Sequence, residues 1–82
     1  MEPSVNVKYF AMLRDCAGID GETVSLERGD SAASIYLRLA EKYKFNLSLK
    51  DLRFAINDEF GPSDAELSPG DSLVFIPPVA GG

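Results

Sequence analysis

Along residues 4–11, SVNVKYFA, apolar and polar side chains alternate: Val5, Val7 and Tyr9 fall on one side, Asn6 and Lys8 on the other. A period of two predicts a strand with one buried face. Phe10 breaks the alternation, because it lands on the polar side with Asn6 and Lys8. The stretch RDCAGIDG, residues 14–21, carries two glycines and two aspartates and reads as a loop. ETVSLE alternates again with Val24 and Leu26 inward, which predicts a second strand hairpinned to the first.

The period then changes. In RGDSAASIYLRLAEKY, Ala32, Ile35, Tyr36, Leu39, Ala40 and Tyr43 follow the spacing of one helix face, predicting a helix over about 31–43. Asp30 or Ser31 can cap its start by accepting an orphan backbone N–H. Lys42 and Lys44 suit the negative end of its dipole. Further on, LRFAIN puts Leu52, Phe54 and Ile56 on one face and Ala55 on the other, a third strand. DEFGPSD reads as a turn built on Gly61 and Pro62, with a short strand near Phe60. LSPGD is another turn, and SLVFIP is the last strand, with Leu73 and Phe75 on one face and Val74 and Ile76 on the other.

The predicted order is β-β-α-β-(β)-β. Strands on both sides of one helix imply an α+β fold: a mixed sheet of four to five strands with one main helix on one face. One helix has one apolar stripe, so the other sheet face is left to solvent or to a partner. That face carries Phe10 from the first strand and Val74 and Ile76 from the last. If those strands are neighbours, the three form a contiguous apolar patch, the usual mark of an interaction site.

The end of the chain, FIPPVAGG, narrows the picture further. Pro77 and Pro78 lack backbone donors, so the sheet ladder stops there and the chain runs on stiffly. Val79 and Ala80 are small, and Gly81 and Gly82 have no side chains at all. Such a tip can enter a tunnel in which any Cβ would clash. Its reactive group is the α-carboxylate of Gly82, which implies a domain over 1–76 that presents an extended tail, 77–82, to another protein's active site. A carboxylate must be activated before a nucleophile can displace a leaving group from it. No GxxxxGK[ST] or GxGxxG run is present to hold a nucleotide. Activation with ATP is therefore expected from a partner enzyme, and the chain alone is expected to be non-catalytic, with no tightly bound cofactor.

Composition removes other functions. A chain of 82 residues is one small domain, able to hide about 60–65% of its unfolded surface. The net charge of −5 opposes nucleic acid and anionic membranes. One cysteine and no histidine leave a metal site almost nothing to coordinate with and exclude an internal disulfide. Cys16 has no histidine near it in sequence to activate the thiol, so it is set aside as a sulfur site. The acids Asp58, Glu59, Asp64 and Glu66 read as turn residues. No apolar run approaches the roughly 20 residues of a membrane span, and a cytoplasmic, reducing location is expected.

FIPPVAGG at the end and VKYFAMLRDCAG near the start, with the FA-x-x-R run at Phe10–Arg14 and the L-x-x-GD turn at Leu67–Asp71, resemble the MoaD-like sulfur carriers, the small subunits of molybdopterin synthase. The resemblance spans the whole chain. It implies the ubiquitin-like β-grasp fold. It also implies that an E1-like enzyme adenylates the carboxylate of Gly82 and that a sulfur donor turns it into a thiocarboxylate. The tail, Pro77 to Gly81, then threads into the large synthase subunit, in a two-plus-two assembly, and Gly82 gives its sulfur to cyclic pyranopterin monophosphate for molybdenum cofactor biosynthesis. Phe10, Val74, Ile76 and Phe60 would meet the partner. Ile76 departs from the phenylalanine common in the family. Arg14 matches a basic position that could pair with an acid on the activating enzyme. Two other readings stay open on the same fold: a thiamin-pathway sulfur carrier, which seldom has the proline pair, and a ubiquitin-like protein modifier, some of which share a similar end. A plain interaction domain with an inert tail is the third.

Overall fold

The computed structural model describes residues 2–78. Val5, Val7 and Tyr9 are buried on β1, Ser4–Tyr9, as the alternation requires. The chain continues through α1, Ala11–Ala17; β2, Gly21–Ser25; α2, Ala32–Tyr43; a single 3-10 turn, Leu49–Asp51; β3, Arg53–Ile56; β4, Glu59–Gly61; and β5, Ser72–Ile76. The five strands form one sheet in the order β2-β1-β5-β3-β4. Only β1 and β5 run parallel; the other neighbours are antiparallel. The last strand therefore lies in the middle of the sheet.

α2 covers one face. Ala32, Ile35, Tyr36 and Leu39 are buried, and Tyr36 stands edge-on to Phe75 with ring centroids 5.2 Å apart. Phe75 in turn meets Phe54 edge-on at 5.7 Å, so β5, β3 and α2 share one aromatic cluster. The Tyr36 hydroxyl avoids stranding a polar atom by donating to the Leu47 carbonyl at 2.6 Å. Each large side chain withdrawn from water here contributes about 1.5–3 kcal/mol.

Ser31, one of the two candidate caps, is the N-cap of α2. Its hydroxyl accepts from the Ser34 N–H at 3.2 Å, and the Ser34 hydroxyl accepts from the Ser31 N–H at 2.8 Å, a reciprocal capping box. Asp30 does different work. It is buried and accepts from the Glu27 N–H, from the Ser34 hydroxyl and, through both oxygens, from the Arg38 guanidinium at 2.9 and 3.0 Å. This ties the loop before the helix to the helix's second turn.

Two expectations need correction. The stretch 14–21 is not all loop, because Ala11–Ala17 is helical; β2 does pair antiparallel with β1 as expected, but through a helical connection rather than a loop. Seven residues make two turns, only Leu13 is buried, and no side chain caps the start, so the amphipathic signal is nearly absent. The end is marked: Gly18 has φ 79 and its N–H reaches the Arg14 carbonyl. DEFGPSD holds one turn more than expected. Asn57 and Asp58, at φ 53 and 70, join β3 to β4 as a two-residue hairpin, and after Gly61 ends β4 the expected turn follows, with the Ala65 N–H donating to the Pro62 carbonyl at 3.1 Å.

Candidate functional site

β5 leads directly into Pro77 and Pro78, so the root of the tail is fixed by the two strands beside it. Tyr9 pairs with Phe75 on the β1 side, and Arg53 pairs with Ile76 on the β3 side. Being central, this strand is paired on both edges, through Phe75 on the β1 side and through Ile76 on the β3 side, which fixes the direction in which the chain enters Pro77.

Alternation puts Phe75 under α2 and turns Val74 and Ile76 to the open face. The register then defines a row across that face. Lys8 lies beside Val74, Val74 beside Ala55, and Ala55 beside Phe60. Phe60 is 72% exposed. Phe10 follows Tyr9 in extended conformation, φ −125 and ψ 152, one step past the Tyr9–Phe75 pair and so next to Ile76 in register. Its ring is exposed, and the Lys8 ammonium sits 5.6 Å from the ring centroid. The chain leaves β1 sharply after this point, with Ala11 at φ 50. Phe10 is thus the last side chain that β1 delivers to the open face before α1 begins.

Of the residues singled out in the sequence, Phe10, Val74, Ile76 and Phe60 are brought onto this one face around the root of the tail. Pro77 is half-buried and Pro78 exposed. Arg14 is elsewhere: it sits on α1, exposed, 3.9 Å from the Asp20 carboxylate, a loose surface pair worth about 0–1 kcal/mol. Val79, Ala80, Gly81 and Gly82 lie outside the described residues. Sequence reading set Lys8 on the same side of its strand as Phe10 but gave it no role there, and did not single out Arg53. The period-two pattern places both there, but their nearness to Val74 and Ile76 depends on which strands are neighbours.

The covered side carries a polar cluster that was also missed. Glu22, half-buried on β2, accepts from the hydroxyls of Tyr9 and Tyr43, and Lys42 lies 3.7 Å away. Burial alone would raise the Glu22 carboxyl. The hydroxyls of Tyr43 and Tyr9 and the Lys42 charge outweigh it and hold the group below the usual carboxylate range. Burial, then Glu22 itself, pushes the Tyr9 hydroxyl far above the ordinary tyrosine range. The Tyr9 hydroxyl therefore stays a protonated donor, and the cluster, with both tyrosine hydroxyls donating to Glu22, braces β1, β2 and α2 rather than offering a nucleophile or a base to solvent. Among the described residues no helix is long and apolar enough to cross a membrane.

Comparison with known proteins places this arrangement. Residues 7–82 match the ThiS family. The molybdopterin synthase sulfur carrier subunit of Mycobacterium tuberculosis is 32% identical over 80 residues, covering 95% of this chain and 96% of the relative. A structure of a putative molybdopterin converting factor, subunit 1, from Pyrococcus furiosus has a TM-score of 0.77 at 31% identity, over 94% of this chain and 99% of that one. A chain from the Helicobacter pylori complex of subunits 1 and 2 of molybdopterin-converting factor shares the fold, with a TM-score of 0.66 at 22% identity over 96% of this chain and 99% of that one.

Proposed function

The chain belongs to the ThiS family and has its β-grasp fold, and from that premise we propose that it is the sulfur-carrier small subunit of a molybdopterin synthase. The observation that carries the reading is the 32% identity over 95% of this chain to a molybdopterin synthase sulfur carrier subunit, within a family match that runs over residues 7–82 and so includes the proline–glycine tail. The geometry supports it. A central strand, β5, aims the tail, and an uncovered apolar face surrounds the tail's root, as a domain that docks and threads needs. The Helicobacter pylori protein of this fold was solved in complex with its second subunit, which supports a large-subunit partner.

In this reading the domain, 1–76, is the handle and 77–82 the working part. The Gly82 carboxylate attacks the α-phosphorus of ATP in an E1-like enzyme, and pyrophosphate leaves. A sulfur donor displaces AMP from the acyl-adenylate and leaves a thiocarboxylate. Gly81 and Gly82 add no side chain, so backbone can lie directly against the catalytic groups of the partner. In the large subunit the soft thiocarboxylate sulfur attacks a carbon of the pterin precursor as an oxygen leaving group departs from that carbon, water then cleaves the acyl–sulfur bond of the thioester so formed, the sulfur stays on the pterin, and the carrier returns as a carboxylate for recharging. ATP and the pterin belong to the partners' sites.

Intact-mass measurement tests this. Incubation with ATP, a sulfur source and the organism's own E1-like enzyme is expected to replace one oxygen of Gly82 by sulfur. A lysine-linked adduct in cell extract would instead make the chain a protein modifier. No change with any activating enzyme would leave an inert tail. Copurification of the molybdopterin synthase large subunit, rather than a thiazole-forming enzyme, separates the pterin from the thiamin branch.

A further inference from the structure

An open recess lies at the β4 edge of the sheet, beside the face around the tail's root. Leu49 and Lys50 of the 3-10 turn, Arg53 of β3, and Phe60, Gly61 and Pro62 line it. Lys50 and Arg53 are its cations, and no carboxylate is among its lining residues. This is unusual on a chain with 13 acidic and 8 basic residues. Among the described residues neither Lys50 nor Arg53 makes an ion pair, and both are exposed. Phe60, at 72% the most exposed of the large apolar side chains among the described residues, forms one wall. Arg53 pairs with Ile76 across the strands, so the recess is continuous with the face around the tail's root.

A surface that covers Phe60 must also desolvate part of Arg53 and Lys50. Desolvating cations is unfavourable unless carboxylates meet them. The covering surface therefore has to be apolar and acidic together, and the planar guanidinium of Arg53 suits bidentate pairing with a carboxylate. We propose that this recess receives an acidic segment of the partner protein, with an apolar side chain seated on Phe60 and carboxylates against Arg53 and Lys50. The proposal rests on the sulfur-carrier reading for the identity of that partner, the large synthase subunit.

The test uses the full chain and the large subunit from the same organism, with affinity read by calorimetry. Arg53→Glu is expected to weaken binding by about tenfold or more, and Lys50→Glu with Arg53→Glu to weaken it further. Arg53→Lys is expected to fall in between. Arg28→Glu, an equal charge change in the exposed turn before α2, is expected to stay within about twofold. Thermal melts of the free variants should match the parent, because Arg53 is exposed and unpaired among the described residues. If the parent chain does not bind the large subunit, the sulfur-carrier reading fails and this assignment falls with it. If the parent binds and both reversed-charge variants bind equally well, the recess proposal alone is overturned. Saturable NMR shifts at Phe60 on adding ATP to the free chain would also overturn it, by giving the recess to a nucleotide.

Discussion

Phe75 and Ile76 are neighbours in β5 and face opposite ways. Phe75 is fully buried among Tyr36, Phe54 and Tyr9, while Ile76 lies half-exposed beside Arg53 at the root of the tail. The same contrast runs across the sheet. On the covered face the buried side-chain polar atoms all have hydrogen-bond partners among the described residues. On the open face an apolar row has Lys8 at one end and Arg53 and Lys50 near Phe60 at the other, and among the described residues none of these three cations makes an ion pair. Hydrophobic burial on the covered face holds the domain together, so the open face is free to carry side chains that add little to folding. Stability and function are thus divided between alternate residues of the same strands.

Substituting those two neighbours should break the symmetry of the strand most visibly. Phe75→Ala removes a ring from the centre of the aromatic cluster and is expected to destabilise the domain by about 3–5 kcal/mol in urea unfolding. Ile76→Ala, half-exposed, is expected to lose about 1 kcal/mol and to weaken large-subunit binding. Equal losses of stability at the two positions would show that the faces are not divided in this way.

The covered face also depends on Asp30. Asp30→Ala leaves the Glu27 N–H, the Ser34 hydroxyl and the Arg38 guanidinium without their acceptor, an expected loss of about 2–3 kcal/mol, moderated because Arg38 is part-exposed. Acid should act on the same contacts. Burial raises the Asp30 carboxyl, but the Glu27 N–H, Ser34 and Arg38 outweigh it and lower the group below its ordinary value of 3.8. Glu22 is likewise lowered, from an ordinary 4.5. Both groups bind protons more readily unfolded than folded. Their contribution is therefore complete above the ordinary carboxylate range and is lost as pH falls through it to the lowered values. Unfolding midpoints in urea should drop below about pH 4.5, and in Asp30→Ala the drop should be shallower.

Much of this contrast was legible in the sequence, because alternation alone assigns faces. The buried stripes of β1, β3, β5 and α2 followed from periods of two and 3.6, and Phe10 stood out as the apolar residue on the wrong side of its strand. What alternation cannot give is adjacency. That Lys8 lies beside Val74, and Arg53 beside Ile76, follows from β5 entering the sheet between β1 and β3, a long-range pairing with no local signature. α1 was hidden for a different reason: with Leu13 as its only buried residue, it has no stripe to find. Glu22 was passed over because a charged residue on an inward face breaks the pattern, and only the approach of Tyr9 and Tyr43 explains it.

Gly21 gives a smaller effect on the open side of β2. A Cβ there would stand 2.5 Å from the Val7 carbonyl oxygen, a backbone atom that cannot turn away. Gly21→Ala is expected to push β2 off β1 locally and lose about 1–3 kcal/mol by thermal or chemical unfolding. Because Gly21 lies opposite Lys8, at the far end of the row from Phe60, binding to the large subunit should change less than stability does.

Phe60 is where the two faces should differ most in kind and least in energy. Its ring is 72% exposed, on a three-residue edge strand, so Phe60→Ser removes almost no buried area. Stability is expected to stay within about 0.5 kcal/mol of the parent. Affinity for the large subunit, measured on the same preparation, should fall by about tenfold or more, because an exposed aromatic that a partner buries carries a large share of the binding energy. A variant that unfolds like the parent but binds poorly would show that evolution retained this ring against water for the sake of a partner. A variant that binds like the parent would move the docking surface toward Phe10 and Ile76 and leave Phe60 as an ordinary exposed residue.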